Sequence, residues 1–168
     1  LGLLDEKRES GQTNHSGVLD NQEEPLYRIN VNTQRYEGYM KHAFILDASH
    51  GTNIAWMTSA SMHHMDATYG QKAYSVNEKN VYSQLMFETN FTQEHNLALG
   101  ASFNHDYLGQ TYLTQPVREK ENVVGAYAQY TFNLHEKLVA MAGVRVDHSS
   151  EYGTFFTPRF HVKWQVND

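Results

Sequence analysis

Asp147-His148-Ser149 places the three side-chain types of a nucleophilic triad next to one another in the sequence. A working triad needs hydroxyl, imidazole and carboxylate to converge in space, and neighbours on an extended chain point apart. No nucleophile motif accompanies them, so a membrane-embedded hydrolase is the weakest reading and the chain is not expected to be an enzyme. Met62-His63-His64-Met65 brings imidazole and thioether donors together, the kind that copper or haem cargo accepts. On a strand His63 and His64 face opposite ways and cannot share one ion, so the segment reads as an interfacial or loop histidine pair. No metal site and no cofactor follow from it.

Two further sets have chemistry to offer. Arg145 and Asp147, with Arg159, His161 and Lys163, recur at every second position, which puts each set on one side of its strand. Such residues on neighbouring strands can satisfy one another as a cross-strand charge lattice. Tyr69, Tyr74, Tyr107 and Tyr112 stand in polar segments rich in Asn and Gln, at 66–80 and 106–122. Read as loops on a rigid scaffold, these segments are where ligand recognition would sit. Nothing in them specifies the ligand.

The elements that position these residues are strands. Leu138, Ala140, Ala142, Val144 and Val146 share one parity, opposite Val139, Met141, Gly143, Arg145 and Asp147. Phe160, Val162, Trp164 and Val166 likewise oppose Thr157, Arg159, His161, Lys163 and Gln165. Seven segments show this pattern, roughly 34–46, 54–65, 81–91, 97–105, 123–133, 138–147 and 156–166. Segment 54–65 fits least well, because its odd set is nearly as apolar as its even set. Residues 5–27 are charged and rich in Gly, Asn and Ser, and read as a long loop after a stub of strand at Leu1–Leu4.

Every charge inside a strand falls on one face, which means two different solvents on the two sides of a sheet. Parity alone does not say whether the oily solvent is a protein core or a bilayer. Connections read as alternately short (47–53, 92–96, 134–137) and long (5–27, 66–80, 106–122, 148–155), a habit of outer-membrane barrels. Phe44, Trp56, Phe91, Tyr130, Phe132 and Trp164 gather on the apolar parity near the short connections, as a girdle at a membrane–water boundary would.

Composition agrees. With 11 Tyr, 8 Phe and 10 His, mean hydropathy is nevertheless −0.63. A barrel with oil outside and water inside can be polar on average and still span a membrane. The absence of cysteine excludes disulfides and thiolate metal sites, and suits passage through an oxidising compartment. A net charge of −6 without a basic stripe argues against nucleic acid as a partner.

The stretch GAYAQYTFNLHEKLVAMAGVRVDHSSEYGTFFTPRFHVKW resembles the barrel region of TonB-dependent outer-membrane receptors, through its "YAQYTF", "AGVRVDH" and "TPRFHVKW" strands. Upstream, "YRINVNTQRYEGYMKHAFIL", "ATYGQKAYSVNEKNVYSQLMFE" and "HNLALGASFNHD" resemble successive strands of the same family. The resemblance implies an all-β fold: an antiparallel up-and-down meander forming a segment of a large transmembrane β-barrel in the bacterial outer membrane. It also implies the partners, namely the bilayer, a plug domain of the full-length chain, the TonB complex acting indirectly, and an imported ligand. On that footing Arg145, Asp147, Arg159, His161 and Lys163 would face the lumen and dock the plug.

The organisation expected is thus one partial barrel domain over 1–168, with 1–27 mostly loop, about seven strands over 28–166, and no plug. No signal peptide precedes Leu1 and no terminal aromatic closes the chain at Asp168, so an internal piece of a longer barrel is expected. The rival readings are a complete small outer-membrane barrel, acting as adhesin, pore or structural protein, and a soluble ligand-binding barrel or sandwich.

Overall fold

The structure, a computed structural model, describes residues 1–11, 27–134 and 137–165. These form β1 (Gly2–Gly11), β2 (Arg28–Asp47), β3 (Thr52–Tyr69), β4 (Lys72–Asn90), β5 (His95–Tyr112), β6 (Gln115–Leu134), β7 (Leu138–Ser149) and β8 (Gly153–Trp164). All eight join one sheet in sequence order, each beside the next, as an antiparallel up-and-down meander. By contact density the residues fall into two units. The first comprises Leu1–Gly38, Ala60–Asn80 and Asp106–Lys120; the second comprises Tyr39–Ser59, Val81–His105 and Glu121–Asp168.

The register on β6, β7 and β8 turns the sequence parity into rows. Ala126 pairs with Val146 and Val146 with Phe156; Ala128 with Val144 and Val144 with Pro158; Tyr130 with Ala142 and Ala142 with Phe160. Directly paired residues project to the same side, so these rows form one apolar face. The other side carries the rows Gly125–Asp147–Phe155, Tyr127–Arg145–Thr157 and Gln129–Gly143–Arg159.

Which face is sheltered decides the physics. On β7 the odd residues Gly143, Arg145 and Asp147 are half-buried, whereas Val144 and Val146 are 37% and 42% exposed. The same inversion holds on β5, where Ser102 is 8% exposed and Phe103 40%. Among the described residues the buried apolar side chains are only Ala55, Ala67 and Val76. A soluble sheet shelters its oily side; on β3, β5 and β7 the polar side is sheltered and the oily side is bare, while both sides of the last strand, β8, are exposed. Such a surface in water would be an aggregation site, and in lipid it is satisfied.

This resolves the awkward strand at 54–65. In β3, Ala55 and Ala67 are buried and Ser59 and Ser61 half-buried, while Trp56, Ala60 and Met62 on the even parity are exposed. Its inward residues are small and nearly apolar, which blurred the contrast between its faces. Of the expected girdle residues, Phe44, Trp56, Phe91, Tyr130 and Trp164 are exposed and Phe132 is half-buried. Trp56 donates its indole N–H to the Ser83 hydroxyl at 2.9 Å and stacks on His42, while His95 packs against Tyr130 and Phe132.

The connections differ from expectation. Segments 66–80 and 106–122 are not loops: β3 and β4 meet at a tight turn around Gly70, and β5 and β6 at one around Leu113, while 148–155 shortens to a turn at 150–152, so the described connections do not alternate in length. Residues 5–11 likewise extend β1, pairing from Asp5 with Gln34 to Gly11 with Arg28. The rest of the expected loop, 12–26, lies outside the described residues, as do 135–136 and Val166. The physical reason is that these strand ends carry polar residues on both parities, for instance Ser75, Asn77, Glu78, Lys79 and Asn80. A strand with water on both sides has no period-two signal. Gly70 takes φ +62° and donates its amide to the Arg28 carbonyl at 2.7 Å. Leu113, at φ +56°, occupies a region that a branched side chain rarely adopts.

At the opposite end of β2, the turn is capped locally. The Asp47 carboxylate accepts the Ser49 hydroxyl at 2.6 Å and the Ser49 amide at 2.8 Å, and lies 2.7 Å from His50 Nδ1. The Ser49 hydroxyl, then His50, then the Ser49 amide hold the Asp47 pKa down at about 2.

Candidate functional site

The sheltered polar face concentrates its chemistry on β5, β6 and β7. Arg145 donates through Nε and Nη2 to the two carboxylate oxygens of Asp147, both at 2.6 Å, and Nη2 also donates to the Ser102 hydroxyl at 3.0 Å. This fork ties β7 to β5 across β6. It can do so because β6 carries Gly125 between them: a Cβ there would overlap the Asp147 carboxylate and crowd Arg145 and Ser102. One step along the same face, Tyr127 lays its ring over Gly100 of β5, where a Cβ would again collide with the ring. Two glycines thus give a ring and an ion pair seats flat against the sheet, the close approach that strand glycine permits.

Beside this cluster a cavity of about 350 Å³ opens on Gly143, with Tyr127, Gln129, Arg145, Thr157 and Arg159 around it. Gly143 lies between Gln129 and Arg159 in the register and leaves that row without a central side chain. Below Arg159, His161 and Lys163 continue on the same side of β8. None of these three has an ion-pair partner among the described residues. Arg145 and Asp147 therefore satisfy each other, while Arg159 and Lys163, on either side of His161, have no ion-pair partner among the described residues, unlike the self-satisfied lattice that pattern alone allows.

The triad letters do not converge. Asp147 binds Arg145, His148 Nδ1 lies 2.9 Å from Thr154 Oγ1, and the Ser149 hydroxyl donates to Glu121 at 2.6 Å. Asp47, Ser49 and His50 are close but equally unlike a triad, because hydroxyl and carboxylate share the same imidazole nitrogen. His64 Nε2 pairs with Asp66 at 3.1 Å, while His63 borders a separate cavity of about 380 Å³ with Arg35, Glu78 and Asp106. Among the described residues no three His, Cys, Asp or Glu side chains gather as a metal set.

The four tyrosines do not form one site. Tyr74 lines a cavity of about 460 Å³ in the first unit with Asn30, Asn32, Ser75, Thr111 and Leu113, and donates to Gln110 at 3.2 Å. Tyr69 and Tyr112 close their strands and stay exposed. Tyr107, by alternation along β5, lies on the side of Leu99 and Phe103, not on the polar side. All four stand in strands, where sequence placed loops.

Sequence reading passed over Ser102, Tyr127, Gly100 and Gly125. The last two carried a signal, since a glycine inside an alternating strand marks close approach of something else. What approaches them, from a neighbouring strand, is not encoded locally.

The sequence model of the family described as "TonB dependent receptor-like, beta-barrel" matches residues 5–168. The chain is similar in structure to the siderophore receptor PirA from Pseudomonas aeruginosa, with a TM-score of 0.66 at 13% identity. That match covers 88% of this chain and 29% of the PirA chain, so the chain spans under a third of that protein's length. At that identity the likeness concerns the fold. No curated protein matches the chain. The family match over almost the whole sequence, with the meander and its inverted faces, means that this chain belongs to the TonB-dependent receptor-like β-barrel family.

Proposed function

We propose that the chain is part of the barrel wall of a bacterial outer-membrane receptor that takes up a scarce extracellular ligand using energy delivered through TonB. The observation that carries this reading is the inversion of the sheet: Val144, Val146, Phe156 and Phe160 are bare while Arg145 and Asp147 are sheltered. The bare side meets lipid and the polar side lines a lumen. An open sheet edge does not persist in hydrocarbon, so β1 and β8 pair with further strands of the full-length chain.

The lumen column gives the plug its landing. Arg159 and Lys163 have no ion-pair partner among the described residues, so an acidic patch on the plug supplies their counter-charge, with His161 between them and the Arg145–Asp147 fork beside them. Tyr69, Tyr74 and Tyr112, at the polar ends of the strands, are assigned to contact with the incoming ligand; Tyr107 is not, because of the side on which it lies. The chain contributes no catalytic group and no cofactor of its own to this function. PirA is a siderophore receptor, which makes ferric siderophores the first class of cargo to assay.

The test is uptake of a panel of iron-labelled ferric siderophores, haem and labelled cobalamin by cells carrying the full-length gene, with and without TonB. Uptake of one cargo that vanishes without TonB supports the reading. Uptake that persists unchanged without TonB refutes it.

A further inference from the structure

Strand β6 outruns its neighbour. Its register with β7 runs from Val123 to Leu134, so residues 115–122 have no partner strand on that side among the described residues. Exposure follows the pairing. Residues 106–111 of β5, flanked by β4 and β6, are half-buried throughout, whereas residues 115–120 of β6 are exposed throughout.

The phase of the strand decides which backbone groups are open. Tyr112 ends β5 and Gln115 begins β6, which leaves a two-residue hairpin. Residues flanking such a turn bond each other, and the bonding alternates from there. Gln115, Val117 and Glu119 therefore direct their backbone groups to β5, while Pro116, Arg118 and Lys120 direct theirs to the open side. Asn122 has the same parity and the same direction: its carbonyl accepts the Ser150 amide at 2.9 Å, and its amide donates to the Ser150 hydroxyl at 3.0 Å. Pro116 fits this phase too, since a proline within a sheet sits where its missing N–H would face solvent.

What remains is a short edge in which the N–H and C=O of Arg118 and Lys120, and the C=O of Pro116, are bonded to no strand. An open edge does not persist in hydrocarbon, so these residues stand in water. Arg118, Glu119 and Lys120 also lack an ion-pair partner among the described residues. Arg118 and Lys120 lie on one side of the strand, Val117 and Glu119 on the other.

This charge order selects what can pair with the edge. Directly opposite residues of an antiparallel pair share a side, and like charges there are destabilising. A second copy centred on Arg118 sets that residue against itself. Centred on Glu119 it sets Arg118 against Lys120, and centred on Lys120 it sets Glu119 against Glu121. The edge therefore rejects its own kind, and it suits a strand with carboxylates opposite Arg118 and Lys120.

We propose that residues 116–120 of β6 are a docking edge for an extended acidic peptide, which adds to the sheet as an antiparallel strand. Backbone hydrogen bonds to Arg118 and Lys120 supply the affinity and the alternate carboxylates supply the specificity, the usual division in strand addition.

The experiment uses the full-length receptor in detergent and a fluorescent peptide of alternating Glu and Thr, read by anisotropy and by hydrogen exchange. In the antiparallel arrangement the Glu residues exchange backbone bonds with Arg118 and Lys120. N-methylation of the Glu amides should weaken binding by about tenfold or more, as lost hydrogen bonds do, while N-methylation of the Thr amides leaves it unchanged. A peptide with Lys in place of Glu should bind more weakly by a similar factor. The Arg118 and Lys120 amides gain protection when the Glu peptide binds. Arg118→Pro removes an edge-facing donor without touching the bonds to β5 and should abolish binding, with a heat-modifiable band reporting that the barrel still forms. The N-methylated peptides make the same test on the unaltered receptor should that variant fail to fold. Failure of the Glu peptide to bind, equal binding of the two N-methylated forms, or equal binding of the Lys peptide overturns the docking edge.

Discussion

The guanidinium of Arg145 forks onto the carboxylate of Asp147, two positions further on the same side of β7, with both N···O distances at 2.6 Å. The pair lies flat because Gly125 of the neighbouring strand has no side chain. Its fixed geometry therefore depends on a residue that contributes no side chain to hold it.

Gly125→Ala should push the fork off the sheet, and overpacking of this kind costs about 1–3 kcal/mol. Gly38→Ala is the control, because a Cβ there would meet only the flexible Leu1 side chain, at 3.4 Å. Denaturant unfolding of the full-length receptor in bilayers checks the difference. Equal losses in both variants would contradict the packing account.

Gly100 and Tyr127 form the second seat, and they should be coupled. Gly100→Ala alone displaces the ring, while in a Tyr127→Ala background the added methyl has room. Contacting residues typically show coupling of about 0.5–3 kcal/mol in a double-mutant cycle. Strict additivity of the two substitutions would mean that the ring does not rest on Gly100.

Asp47 sets a pH dependence in the turn after β2. Its pKa, lowered from 3.8 to about 2, means that the folded turn holds the carboxylate ionised. A depressed carboxylate pKa stabilises above the unfolded value and the contribution disappears as pH falls through the folded one. Ordering of the Ser49 amide should thus be complete above about pH 4 and lost toward about pH 2. Carboxylate titration by NMR in the full-length receptor checks it, with Asp47→Asn removing the transition; a midpoint near 3.8 would contradict it.

The two faces should respond oppositely to charge. Val144→Arg puts a cation into hydrocarbon and costs about 2–4 kcal/mol near the midplane. Thr157→Arg, on the side of Arg145 and Arg159, should be tolerated apart from local repulsion by those two guanidinium groups. Outer-membrane yield and unfolding midpoints of the two variants report this. Similar losses in both would mean that the faces do not meet different solvents.

The alternation of Leu138 to Val146 was legible in sequence because one side of β7 meets oil and the other water. That signal fades wherever both sides meet the same medium. Ser75 to Asn80 and the residues around Tyr107 and Tyr112 are strand, yet they carry polar side chains on both parities and read as loop. Ala55, Ser59 and Ser61 hid the inward side of β3 for a different reason, since small residues have little polarity contrast. The Arg145–Ser102 hydrogen bond was out of reach altogether. It joins residues 43 apart and depends on the register of two strand pairs. Arg159, His161 and Lys163 could be placed on one side from sequence, but only the structure distinguishes them from the satisfied pair beside them.

The bare face of the sheet meets lipid and the sheltered polar face of β7 meets water. The most direct measurement is spin-label accessibility along β7 and β8 of the full-length receptor in bilayers. This chain has no cysteine, so single cysteines can be placed at Ala142, Val144, Val146 and Phe160, and at Gly143, Arg145, Thr157 and Arg159. The first set should be accessible to oxygen and protected from a water-soluble nickel chelate, and the second set the reverse, in strict alternation. Uniform accessibility along β7, or alternation of the opposite phase, would contradict the account.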